Sequence, residues 1–276
     1  MNSLQRIIFR NKYTMNDTKA IKNRVNLEYW NRTENIGDSI SPLICNWLLN
    51  KKNLTLDSKT KSTKHLLAVG SILVTGRHYF DATVWGSGIL YLNHIRSLSL
   101  QKYFRKLDVR VVRGPISAKI LSFCGYKCPE IYGDPGVLMP LIYPKTANRN
   151  SDTISVIRHL KSVHLKTPDS LNFIDTRTSD YKAFIDQICE SKMVISSSLH
   201  GIILAESYGV PAIFLQEEME DSLLKFYDWY YSTNRHNVKI AYSIEEALDI
   251  EPMELPDLSD MQENLIKAFP YDLWER

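Results

Sequence analysis

Short apolar runs alternate with longer stretches in which apolar residues recur every three or four positions, and this alternation continues over most of the chain. The short runs fit buried parallel strands, and the stretches between them fit amphipathic helices. In the first half, strands are expected over 25–30, 66–69, 83–85 and 109–112, with helices over 41–50 and 115–123. The second half restarts the pattern, with strands over 154–157, 193–196 and 212–215 and helices near 179–191 and 200–208. Between the halves lies GDPGVLMPLIYPKTANRNSD, residues 133–152, whose three prolines, two glycines and polar tail mark a crossing between two bodies. The expected fold class is α/β, two Rossmann-like lobes over 1–146 and 147–276 with an interlobe cleft.

Sheets of this kind bind ligands beyond the carboxyl ends of their strands. The segments in those places read NRTENIGD, GSGIL, RGPIS, RHLKS and SSLHG, rich in Arg, His, Ser and Gly. Composition then removes several classes of protein. With 276 residues, 44% hydrophobic and 24% charged, the chain can bury a large core, which excludes a disordered chain or a disulfide-stapled miniprotein. The longest nearly apolar run, 66–74, is less than half of the roughly 20 residues that span a bilayer. No signal segment opens the chain, so a soluble, cytoplasmic protein is expected. Cys45, Cys124, Cys128 and Cys189 form no CxxC pair and suit a reducing compartment. Nor do the seven histidines form an HExxH or other close ligand pair, so no metal is expected. Charge is uneven: +7 over residues 1–65, +6 over 66–215 and −10 over 216–276. A basic leading segment suits either a solvated face or an anionic partner, and the absence of zinc-finger spacing or RNP-type strands argues against nucleic acid.

The stretch KMVISSSLHGIILAESYGVPAIFL, 192–215, carries the most chemistry. A strand ends in Ser196, Ser197 and Ser198, and Leu199, His200 and Gly201 open a helix. Unsatisfied N–H groups at a helix start favour a phosphate or carboxylate, and His200 can both give and take a proton near neutral pH. The plain alternative is a serine-capped helix with a structural imidazole. Arg113, followed by Gly114 and Pro115, offers a planar fork to a carboxylate or phosphate, or else a salt bridge to Asp134 or another neighbour. Lys225 and Asp228 in SLLKFYDWYY fit an exposed helix pair. In NIGD, Asp38 or Ser39 can cap the following helix, or Asn35 and Asp38 can bind sugar hydroxyls.

Taken in order, NIGDSISPL, AVGSIL, VWGSGI, VRGPIS, YGDPGVLMP, ISVIRH, SSLHGIILAESYGVP and LLKFYDW resemble the polysaccharide pyruvyltransferase family, in particular its ketal-forming branch. The resemblance implies a glycosyltransferase-B-like pair of lobes and pyruvyl transfer from phosphoenolpyruvate, a co-substrate, with no cofactor. It implies His200 as the acid/base, with Arg113 and Lys225 holding the donor's anionic groups beside Ser197, Ser198, Leu199 and Gly201. Many members carry arginine where this chain has Ser198, and Arg158 or His159 is expected to supply the missing charge. Acceptor contacts are expected from Asn35, Asp38, Tyr79 and Trp85. A nucleotide-sugar glycosyltransferase and a non-enzymatic carbohydrate-binding protein are the alternatives. The expected acceptor is a lipid-linked saccharide at the inner face of a membrane, where Arg6, Arg10, Lys12, Lys19, Lys22 and Arg24, with Leu4, Ile7, Ile8 and Phe9, can make peripheral contact.

Overall fold

The computed structural model describes residues 10–74, 80–217 and 223–275, and in it the apolar runs form two all-parallel sheets. The first contains β1 (Val25–Glu28), β2 (Lys64–Leu67), β3 (Ala82–Trp85) and β4 (Leu107–Val111), in that spatial order. The second contains β5 (Ile154–Ile157), β6 (Asn172–Ile174), β7 (Met193–Ser196), β8 (Ala212–Leu215) and β9 (Ile240–Ala241), in the order β6-β5-β7-β8-β9. Helices are α1 (Ile36–Asn50), α2 (His94–Gln101), α3 (Pro115–Phe123), α4 (Met139–Ile142), α5 (Tyr181–Cys189), α6 (Leu199–Ser207), α7 (Leu223–Ser232), α8 (Ile244–Asp249) and α9 (Ser259–Lys267). No described helix is long and apolar enough to cross a membrane. Leu4, Arg6, Ile7, Ile8, Phe9 and Tyr79 lie outside the described residues.

In the second sheet the chain steps from β5 to β6 on one side and then crosses to β7 on the other. A change of crossing direction of this kind is where ligands bind in open parallel sheets, beyond the carboxyl ends of the two strands. Arg158 and His159 leave one strand there, and Ser197 to His200 leave the other.

One hydrophobic cluster reaches both sheets. It takes in Leu66 and Trp85 from the first, Ile157 and Val194 from the second, and Ile36, Ile40, Ile44, Val137, Leu138, Ile202 and Ile203 between them. Part of the expected crossing segment is thus core: Asp134 caps a 3-10 turn, Pro135–Leu138, whose apolar residues are fully buried. Helix α1 also starts earlier than Pro42 suggests. The helix opens at Ile36 after Asn35 and keeps Pro42 inside, and Ile36 N–H donates to the Thr176 carbonyl at 2.9 Å. Asp38 accordingly sits within the first turn and does not cap it.

Helix α7 returns to the first half through a buried ion pair. Arg113 and Asp228 are both fully buried, with their Nη2 and Oδ2 atoms 3.2 Å apart. Asp228 also accepts from Ser117 N–H at 3.0 Å and from Ser117 Oγ at 2.6 Å. A carboxylate from α7 thereby satisfies the open end of α3, whose own N-cap, Gly114, has no side chain. The exposed Lys225–Asp228 pair expected from spacing is therefore not formed as such: both residues are buried, and Asp228 faces α3. Removing one partner of a buried pair strands the other charge and costs about 3–5 kcal/mol, whereas an apolar replacement of both is far milder. Asp228→Ala should lower the unfolding free energy measured by guanidinium denaturation by an amount in that range. Arg113→Met combined with Asp228→Leu should recover most of the loss.

Candidate active site

The first turns of α1 and α6 meet at the carboxyl ends of the two sheets. A Cβ built on Gly37 would lie 2.0 Å from Nδ1 of His200, so the imidazole rests on the bare backbone of the NIGD turn. Only 13% of the His200 side chain is exposed, and its Nε2 is buried with no hydrogen bond, 3.6 Å from Oδ2 of Asp134. Asp134 follows Tyr132, which bridges to Val112 and extends the first sheet beyond β4. Its Oδ1 accepts from Gly136 N–H at 2.9 Å, and its Oδ2 is buried without a hydrogen bond.

Asp38 stands on the same turn as Gly37, and Asn35 donates its amide to Asp38 Oδ2 at 2.7 Å. Burial pushes the Asp38 carboxyl above its ordinary range, while the nearby His200 and the Asn35 amide pull the other way. Asn35 and Asp38 therefore do share the site with His200.

The three serines leave β7 in different roles. Ser196 Oγ bonds to the Ile157 and Ser198 carbonyls at 2.9 Å, inside the core. Ser197 donates to Glu217 Oε2 at 2.6 Å and accepts from His159 N–H at 2.9 Å. Ser198 is the N-cap of α6, accepting from Gly201 N–H at 3.4 Å. Leu199 packs into the core, and Gly201 allows close contact, since a Cβ there would meet Ser196 Oγ at 2.5 Å and Ile157 Cγ2 at 2.8 Å. The N–H groups of Leu199 and His200 have no acceptor among the described residues, leaving the start of α6 open.

Several expectations change here. Arg158 is not a spare cation, because its guanidinium pairs with the buried Glu217 and donates to the Lys166 carbonyl at 3.0 Å. His159 is half-buried, and its Nδ1 accepts from Lys161 N–H at 3.3 Å. The Arg113 guanidinium donates to Ser71 Oγ at 2.5 Å and to the Ile89 carbonyl at 2.9 Å; a Cβ on Gly88 would sit 2.4 Å from its Cζ. Its salt-bridge partner is Asp228 and not Asp134. Trp85 is fully buried, its indole N–H donating to the Leu265 carbonyl at 2.9 Å and its ring edge-on to Phe269, so it has no face to offer a sugar. Lys225 is buried, with Nζ 5.0 Å from the Phe226 ring. Two residues that the sequence motifs do not mark as site residues, Asp134 and Glu217, pack against His200 and Ser197 respectively. Asp134 was findable, because GDPG follows the same carboxyl edge as the other loops; Glu217 follows β8 in an acidic run that reads as solvated surface.

A raised carboxyl pKa makes ionisation of Asp38 unfavourable in the folded state. That penalty is absent below the ordinary carboxylate range, grows as pH rises through the raised pKa, and is constant above it. Asp38→Asn should raise Tm near pH 7, with the gain shrinking towards zero at about pH 3 in a calorimetric pH series.

The sequence profile of the polysaccharide pyruvyl transferase family matches residues 28–218. An uncharacterised protein of Acanthamoeba polyphaga mimivirus is 26% identical over 224 residues, 75% of this chain and 74% of that protein. The succinoglycan biosynthesis protein ExoV of Rhizobium meliloti is 27% identical over 132 residues, 45% of this chain and 40% of that protein. A crystal structure of a functionally uncharacterised Klebsiella pneumoniae protein aligns with a TM-score of 0.48 at 15% identity, covering 87% of this chain and 97% of that one. The profile covers Asn35 to Asp38, Arg113, Asp134 and Ser196 to Gly201, the residues that surround His200 together with the arginine tied to α7, and the chain belongs to the polysaccharide pyruvyl transferase family.

Proposed function

We propose that the protein transfers the pyruvyl unit of phosphoenolpyruvate to two hydroxyls of one sugar, forming a cyclic ketal during surface polysaccharide biosynthesis. The observation that carries this reading, beside the family, is the meeting of the NIGD turn with the SLHG helix start, Gly37 against His200, at the carboxyl edges of two parallel sheets. In this reading the arrangement is glycosyltransferase-B-like, with donor and acceptor in a cleft between the lobes.

The donor phosphate is assigned to the open N–H groups of Leu199 and His200, the hydroxyl proton of Ser198 and the ammonium of Lys225. Arg113, held by Asp228, fixes the helix that carries Lys225. Asn35 and Asp38 take the acceptor's hydroxyls, and a carboxyl whose pKa is raised is also the better proton acceptor. Protonation of the methylene carbon makes C2 electrophilic, and the first hydroxyl adds there and loses its proton. The bond from C2 to the phosphate oxygen then breaks, phosphate leaves, and the second hydroxyl adds with loss of its proton. One hydroxyl proton replaces the proton now in the methyl group; the other is released.

Phosphoenolpyruvate is a cytosolic metabolite, so the reaction is assigned to the cytoplasm. A relative bears the name of a succinoglycan biosynthesis protein, and a comparable setting is proposed here, with a lipid-linked acceptor at the inner membrane face. The basic leading segment would rest on anionic lipid, with Arg24 contributing less because it is already paired with Asp57.

The reading is tested by incubating the protein with phosphoenolpyruvate and a panel of hexoses, measuring phosphate release and product mass. The expected product gains one pyruvyl ketal; consumption of a nucleotide sugar with no use of phosphoenolpyruvate would replace the proposal. His200→Gln should fold and lose about 10²–10⁴-fold in kcat, the usual cost of removing an acid/base. Gly37→Ala suits the helical backbone yet must displace the imidazole, and should lose about 10²-fold in kcat with little change in far-UV circular dichroism.

A further inference from the structure

Two buried polar atoms at the site lack hydrogen bonds, and they face each other: Nε2 of His200 and Oδ2 of Asp134. Buried polar groups are nearly always satisfied, so an orphaned donor and an orphaned acceptor 3.6 Å apart form an incomplete pair that a small closure completes. The carboxylate is not adjustable. Asp134 is fully buried, its Oδ1 holds Gly136 N–H, and Pro135 follows it, so turning Oδ2 away would give up the cap of the 3-10 turn. The ring is held too, because the backbone of Gly37 lies against one side of it, while Nδ1 makes no hydrogen bond among the described residues and, unlike Nε2, is not a fully buried atom. Nε2 has no part in the ring's 13% exposure.

We propose that Asp134 is the positioning residue of this site: its carboxylate keeps a proton on Nε2 of His200 and leaves Nδ1 as the nitrogen that exchanges a proton with the reacting atoms. That Nδ1 acts as acid and base on phosphoenolpyruvate rests on the function proposed above; the tautomer itself does not. In the protonated ring, Nδ1–H gives its proton to the methylene carbon. The N–H bond breaks as the C–H bond forms, the electron pair stays on Nδ1, and the neutral ring keeps Nε2–H beside Asp134. Nδ1 then takes the proton of the first adding hydroxyl and the imidazolium is restored. At both stages the carboxylate faces an N–H donor.

An amide in place of the carboxylate reverses the tautomer. Gly136 N–H still requires an oxygen, so the side chain introduced by Asp134→Asn would turn its NH₂ towards Nε2, and a nitrogen that accepts there must leave the ring's proton on Nδ1. The test is a long-range ¹⁵N–¹H correlation of the histidine rings at a pH where they are neutral, with His200 assigned by the signal lost in His200→Gln. The wild-type ring should show Nε2–H with bare Nδ1. D134N should show Nδ1–H and lose about 10²–10⁴-fold in kcat with a smaller change in donor KM, as wrong-tautomer variants of histidine-dependent enzymes do. A neutral wild-type ring protonated on Nδ1 would overturn the inference, and that spectrum needs no variant. So would a D134N protein with an unchanged tautomer, or one with a reversed tautomer and wild-type kcat. Because the tautomer is read without donor or acceptor, absence of pyruvyl transfer alongside the expected tautomer counts against the proposed function alone.

Discussion

No side chain fits at position 37. The first turn of α1 and the first turn of α6 come from different sheets, and they touch where a Cβ would occupy the space of the His200 ring. Everything else at the site follows from that approach. It requires Ile36 N–H to dock on the Thr176 carbonyl, which ties the start of α1 to the loop after β6. It also requires a second bare backbone at Gly201, so that α6 can descend onto Ser196 and Ile157. Gly37 thus permits the close approach of the two halves and Gly201 that of α6 to its own sheet, and the hydrophobic cluster that includes Ile40, Val137 and Ile203 packs around them.

Three arginines with largely buried side chains are paired with carboxylates away from His200. Arg113 has Asp228, Arg158 has Glu217, and Arg235 has Glu206 in a two-point contact at 2.6 and 2.8 Å. Each pair joins segments distant in sequence, and each involves an arginine, whose fork can meet a carboxylate while its remaining N–H groups satisfy backbone carbonyls or hydroxyls. Such pairs contribute geometry more than stability, since desolvation offsets most of the attraction. Asp134 and His200 break this pattern by leaving their facing atoms unbonded. In the arginine pairs the facing atoms are in contact, whereas here a buried ring nitrogen and a buried carboxylate oxygen face each other unbonded, the arrangement that the proposed proton transfer would use.

Much of this was legible in the chain, and what was missed has physical causes. Strands β3, β5, β7 and β8 are mostly apolar and buried, and β1, β2 and β4 each set buried apolar residues among polar ones, so the pattern finds them. Strands β6 and β9 have only three and two residues, partly exposed, and leave no run to detect. Helix α1 begins at Ile36, ahead of the 41–50 that the pattern predicts, and holds Pro42 in its second turn, a residue more at home in a first turn. Trp85 ends a strand at the favourable edge, but all four residues of β3 are buried, and strand position cannot reveal which face a ring takes. Spacing joined Lys225 to Asp228 as neighbours on a helix; it carries no information about the α3 N-terminus that claims Asp228.

Ser198, where the family resemblance leads to an expectation of arginine, has a local role of its own. Ser198 caps α6, and its Oγ bond to Gly201 N–H holds the turn that presents His200. A long cation there would need an anion or a ligand to balance it, and the carboxylate within reach of the adjoining β5 loop, Glu217, is already shared between Arg158 and Ser197. That sharing also excludes Arg158 as a substitute, since freeing its guanidinium would strand Glu217 beneath the loop. Under the proposed function, an anionic ligand at this end of α6 would be met by oriented backbone: the N–H groups of Leu199 and His200, and the dipole of a nine-residue helix. Backbone donors carry no counterion and lose no side-chain entropy on binding. Serine at this position is therefore compatible with the proposed anion site, because its cap bond to Gly201 N–H leaves the N–H groups of Leu199 and His200 open.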